Sequence, residues 1–151
     1  MSESQRGFTL IELILTIVII GVLASTVIPR FVSLGTDARI AKLNAALASV
    51  KSAASLAHST SIIRVRGPND PIDMSGVQIA MTNFYPSASR DGIIPAANIR
   101  ADEGYSFAAE GATITISVTG GSNPAACSFT YTVPANPKTT PVYSGMQTEG
   151  C

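Results

Sequence analysis

The sequence predicts an α+β chain in which a long N-terminal α-helix packs on an antiparallel β-sheet. Three patterns carry that expectation. From Phe8 to Ile28 the chain runs for 21 residues with Glu12 as its only charged group, the length and composition of a membrane-crossing helix. From Ile40 to Ala57 apolar residues recur at spacings of three and four, which marks a helix with one buried stripe. From Tyr105 to Val133 apolar and polar residues alternate in three short runs, as strands with one covered face do.

The first element, residues 8–29, is apolar on every side. Leu13, Ile14, Leu15, Ile17, Val18, Ile19, Ile20, Val22 and Leu23 fall all round the helix, so it belongs in lipid or against other protein. A single-pass anchor, a cleaved signal and a helix bundled with copies of itself all satisfy that requirement. A conventional secretory signal cut after Ala24 fits poorly, because Glu3 and Glu12 cancel the positive charges of the amino terminus and Arg6. Pro29 lacks an amide hydrogen and clashes with the carbonyl four residues back, which places a kink near Ser25 that Gly21 softens further. Hydroxyls of Ser25 and Thr26 are at hand for carbonyls freed there.

Residues 30–60 read as an amphipathic helix. Ile40, Leu43, Leu47, Val50, Ala54 and Ala57 form the stripe, Lys42, Asn44, Ser49, Lys51, Ser52 and Ser55 the other faces, and the many alanines raise helix propensity and permit close approach. A single helix from Phe8 to about Ser59 would be ~78 Å long. Residues 61–104 are expected to be a mostly irregular connecting loop region, with brief alternating runs at Ile62–Val65 and Val77–Met81 among Pro68, Pro71, Pro86 and Pro95. In residues 105–151, Tyr105–Ala109 and Ala112–Thr119 flank Glu110-Gly111, and Ser128–Val133 follows a turn at Gly120–Pro124. Three strands and two turns make a meander whose apolar face the helical stripe would cover.

Ten basic and ten acidic residues sum to zero, so the totals support neither nucleic-acid binding nor a self-repelling disordered chain. The charges are segregated, however: residues 30–66 carry six basic groups against Asp37, and residues 67–151 carry three basic against seven acidic. Arg30, Arg39, Lys42 and Lys51 on the helix either line a solvated face or meet the acidic part of another copy. No nucleophile elbow, HExxH, phosphate loop or Cys-x-x-Cys is present, and His58 is the single histidine, expected as a structural residue near a helix end. Asn69, Asp70 and Asp73 read as turn residues rather than a calcium site. We expect no enzyme, cofactor or metal.

Around the apolar run the string Arg6-Gly7-Phe8-Thr9-Leu10-Ile11-Glu12, together with Pro29 and the cysteines Cys127 and Cys151, resembles the bacterial type IV pilins and the related type II secretion pseudopilins. The resemblance implies a leader, residues 1–7, cut by a prepilin peptidase between Gly7 and Phe8, with N-methylation of Phe8. It implies that Glu12 of an incoming subunit pairs with the Phe8 ammonium of its neighbour, and that the Gly21 to Pro29 section can partly melt in a filament. It also implies a Cys127–Cys151 disulfide enclosing the tail, consistent with two cysteines in a chain whose C-terminal part leaves the cytoplasm. The expected partners are further copies of the chain in a helical homopolymer, the peptidase, the assembly machinery of the inner membrane, and lipid before assembly. The expected location is the inner membrane, then an extracellular pilus serving adhesion, motility or DNA uptake. The stem and Tyr85-Pro86 look like the mannose-sensitive haemagglutinin type. Alternatives are a pseudopilin, against which the terminal cysteine pair argues, and a secreted soluble binding protein.

Overall fold

The computed structural model describes residues 8–151, and the side chains of all of these except 28–33. The chain divides into two compact units that meet between Thr36 and Asp37. One helix, α1 (Leu10–Ile63, 54 residues), supplies the described helical part of the first unit and opens the second. Its assignment is continuous through position 29, whose side chain lies outside those described, as do residues 1–7 and with them Gly7. The Ser25 and Thr26 hydroxyls donate to the carbonyls of Val22 (2.7 Å) and Leu23 (2.9 Å), one turn back and short of the Ser25 carbonyl itself.

At its other end α1 runs further than the alternation of Ile62–Val65 suggests. Arg66 N–H donates to the Ser61 carbonyl and Val65 N–H to that of Ile62, the paired bonds of a Schellman cap. These bonds use the carbonyls that a strand would have turned outward, so the expected strand there is a helix end. The residue in the left-handed position is Val65, with φ 50°, where glycine is the usual occupant.

Residues 61–104 carry two small hairpins and a short helix. Strands β1 (Ile72–Met74) and β2 (Val77–Ile79) pair antiparallel, as do β3 (Met81–Thr82) and β4 (Tyr85–Pro86). Ala80 divides the expected Val77–Met81 run, because its N–H turns to the Asp91 carbonyl and its carbonyl to Ser87. Helix α2 (Ile93–Ala96) follows, and its Ile93 and Ile94 are buried.

The main sheet is antiparallel and has four strands in chain order: β5 (Tyr105–Glu110), β6 (Thr113–Val118), β7 (Ser128–Thr132) and β8 (Val142–Tyr143). Glu110 faces Thr113 across a tight turn in which Gly111 takes φ 57°. Register places Phe107, Ile116 and Phe129 in one row, and Ile114 beside Tyr131, so the alternation reads directly as two faces. On the covered face Ile114, Ile116, Val118, Phe129 and Tyr131 are buried with Leu43, Ala46, Val50, Ala53 and Ala54 of α1. Fully burying each large aliphatic or aromatic side chain stabilises by roughly 1.5–3 kcal/mol, which makes this contact the main cohesion of the second unit. Leu43, Val50, Ala54 and Ala57 of the stripe are buried, while Ile40 and Leu47 are only partly so and the small Ala46 and Ala53 lie deeper. The fourth strand is the one the sequence does not announce, being two residues long and preceded by Pro141.

Candidate assembly site

The residues singled out by the sequence fall in two places, the start of α1 and the closed tail. Residues 10–27 form an 18-residue window of mean hydropathy 2.6 in which no residue is buried. Phe8, Leu10 and Ile11 are likewise exposed. A helix apolar all round and uncovered has no stable place in water.

Glu12 is the charged group in that stretch, and it has a partner. Its Oε2 accepts from the Thr9 hydroxyl (3.2 Å) and, more weakly, from the Thr9 N–H (3.4 Å), while Glu12 N–H donates to Thr9 Oγ1 (3.3 Å). Thr9 at the N-cap and Glu12 three residues on form a capping box, in which two otherwise orphaned amides are satisfied reciprocally. The spacing Thr-x-x-Glu ahead of an apolar run carries this signal in the sequence itself. A carboxylate in the first turn also opposes the positive end of the helix dipole. Gly21 has open space around it, so a methyl there would meet nothing within the subunit.

In the second unit Cys127 and Cys151 are joined, 24 positions apart, and both are buried. The closed segment is held by the sheet as well as by the bond. Beyond β8, the Ser144 hydroxyl accepts from Thr130 N–H (2.8 Å), and Ser128 exchanges backbone bonds with Gln147 (3.1 and 2.9 Å). The tail then returns against residues 121–126: Gly150 N–H donates to the Ala126 carbonyl (3.0 Å), and Asn123 N–H to that of Gly150 (3.2 Å). A Cβ on Gly150 would lie 2.0 Å from the Asn123 carbonyl oxygen, so only glycine fits there.

The cations of the helix are used within this unit. Arg39 Nε donates to the Cys151 carbonyl and Lys42 Nζ to that of Glu103. The Lys42 ammonium also lies 4.5 Å from the Tyr105 ring centre, and that of Lys51 5.5 Å from Tyr143. Of the helix charges read either as a solvated face or as meeting another copy, Arg39 and Lys51 thus contact the chain's own tail and Lys42 the start of β5, and Arg30 is outside the described side chains.

His58 is half-buried, stacked on Tyr85 at 4.4 Å with its Nδ1 3.2 Å from the Phe84 carbonyl. Asp70 Oδ2 accepts from Gly67 N–H and Asp73 Oδ1 from Gly76 N–H, each holding a turn, while Asn69 Oδ1 accepts from Asn83 N–H and ties its segment to the β3–β4 turn. No group of three or more metal-ligating side chains occurs among the described residues. Tyr131 is fully buried and donates to the Pro86 carbonyl (2.7 Å); burial first, then the neighbouring Tyr143 and Tyr85, raise its pKa far above 10.0.

Residues 4–28 match the model of the prokaryotic N-terminal methylation motif. Over 52 residues the chain is 50% identical to the major component of the type IV narrow pilus of Thermus thermophilus, a stretch covering 34% of this chain and 45% of that relative. The chain thus spans less than half the length of the curated relative it matches. No solved structure matches.

Proposed function

We propose that this chain is a type IV pilin, the structural subunit of an extracellular filament, made with a short leader and held in the bacterial inner membrane by its apolar helix until assembly. The observation that carries the reading is the methylation motif over residues 4–28, lying on a helix whose apolar window, Leu10–Val27, is wholly uncovered within the subunit. The long helix, antiparallel sheet and Cys127–Cys151 bond are those of the type IV pilin fold. The likeness to a pilus component supports the same reading. Its role is structural, and we assign it no reaction.

Cleavage between Gly7 and Phe8 and methylation of the new amine would leave a positive charge four residues before Glu12. Within lipid an unpaired carboxylate costs roughly 2.5–3.5 kcal/mol on insertion scales for comparable charged residues, so it gains from any cation on the path out of the membrane. The capping box meets part of that need inside the subunit. The Phe8 ammonium of a neighbour would complete it, drawing the incoming helix into register while the remaining apolar surface packs against other copies. The Gly21 to Pro29 section, with its missing amide hydrogen, would be the place where the helix yields in the filament.

Electron microscopy of sheared surface material tests this. Filaments that disappear on deletion of the gene and return with the wild-type chain are expected, and Glu12→Ala is expected to be processed normally yet give few filaments. Unchanged surface material on deletion would overturn the pilin reading, and wild-type yield from Glu12→Ala would overturn the pairing role.

A further inference from the structure

Val65 is the one β-branched residue with positive φ among the described residues. It holds φ 50°, and its side chain is 90% exposed. Such a residue is strained in the left-handed region, where glycine would end the same helix without strain. Exposure means that the valine gains nothing from burial within the subunit. Ile62 and Ile63 beside it are also exposed, so the helix ends in an aliphatic knuckle. Arg66, next in sequence, has a side chain with no partner among the described residues. Strain, apolar exposure and an unpaired cation thus coincide at one end of the second unit.

At the other end, beside the Cys127–Cys151 bond, a shallow groove of about 400 Å³ is lined by Ala126, Met146, Gln147, Thr148 and Glu149. The Glu149 carboxylate has no partner among the described residues either. Arg39 on α1 reaches the Cys151 carbonyl, and the same helix ends at Ile63, 24 residues beyond Arg39, with Val65 just after it. At ~1.5 Å per residue the knuckle and the groove lie some 36 Å apart, too far to meet within one subunit.

We infer that the knuckle of one subunit seats in the tail groove of a second copy, Val65 against Met146 and Ala126, and Arg66 paired with Glu149. The inference rests on the pilin reading and adds a head-to-tail contact to it. Two different patches joined this way make a heterologous interface, which propagates along a filament instead of closing on itself. The strain at Val65 is then explained by the contact, since a methyl-bearing side chain fills a groove that glycine would leave empty. Charge pairing fixes the register.

Complementary charge reversal in the full chain tests it, with filament yield in sheared material as the readout and membrane abundance of the mature subunit as the control. Arg66→Glu and Glu149→Arg should each lower yield about tenfold with the subunit still abundant, and the double variant should restore it. Val65→Gly should raise the melting temperature of the subunit and yet reduce filaments, a divergence that a purely structural residue would not produce. Wild-type yield from either charge reversal, or no rescue in the double variant, overturns the contact. Filaments of normal yield that lose binding to phosphatidylglycerol vesicles in Arg66→Glu would assign the knuckle to a lipid surface and overturn it as well. Absence of filaments from the wild-type chain would instead overturn the pilin reading on which the contact depends.

Discussion

Tyr131 joins the sheet to the connecting region, and Tyr131→Phe removes one atom from that joint. The hydroxyl is buried and donates to the Pro86 carbonyl at 2.7 Å, with Pro86 itself buried. The substitution keeps the ring packing and leaves a buried acceptor unsatisfied, which costs about 1–3 kcal/mol at neutral pH. The pH dependence follows from the raised pKa. A tyrosine whose folded pKa lies above its unfolded value contributes stability that is fully present below pH 10 and is lost as pH rises from there towards the folded pKa. Each pH unit in that window removes about 1.4 kcal/mol from the wild type, because the unfolded chain releases the proton and the folded chain does not. The variant lacks that loss. Tyr105 and Tyr143, also raised chiefly by burial, lose stability in the same direction in both proteins. Urea unfolding of the full chain in detergent, followed by far-ultraviolet circular dichroism, should show the variant less stable by about 1–3 kcal/mol at pH 7 and the gap narrowed by about 1.4 kcal/mol at pH 11. A gap independent of pH would refute the burial of this hydroxyl.

Three further outcomes follow from the packing. Cys127→Ser should lower stability by about 3–4 kcal/mol on the loop-closure model, and dithiothreitol should produce the same shift in the wild-type melt but none in the variant. Gly150→Ala forces a Cβ towards the Asn123 carbonyl, so amide exchange should quicken at Gly150 and Cys151 while Ile114 and Ile116 keep their protection. Leu43→Ala opens a cavity between α1 and the sheet and should cost about 2–5 kcal/mol in a denaturant melt, whereas Leu56→Ala, at an exposed position of the same helix, should stay within about 0.5 kcal/mol of wild type.

The parts of this fold that obey a strict period are legible in the sequence. Thr113–Val118 alternates cleanly, and the strand has the expected buried face. The helix is legible too: Leu43, Val50, Ala54 and Ala57 of the expected stripe are buried, and Ile40 and Leu47 pack at its margin. Large aliphatics mark a stripe in the sequence more plainly than alanines do, so Ala46 and Ala53, buried more deeply than Leu47, are not part of it. Strand β8 is not legible in the sequence because two residues cannot show a period and the hydrogen bonds that define it come from β7, across the intervening loop. The Thr9 to Glu12 capping box was written in the sequence at its usual spacing, but a carboxylate that begins an apolar run draws attention as a charge before it does as a cap. Val65 could not have been foreseen: a β-branched residue in a glycine position violates the local rule, and only the backbone reveals it.

The central claim is that this chain is a processed, polymerising subunit, and the intact mass of the protein in sheared surface filaments tests it most directly. The account predicts a mature chain beginning at N-methylated Phe8, its mass lower by two hydrogen atoms for the Cys127–Cys151 bond. A chain beginning at Ser25, or one retaining Met1 and recovered only in membranes, would contradict it.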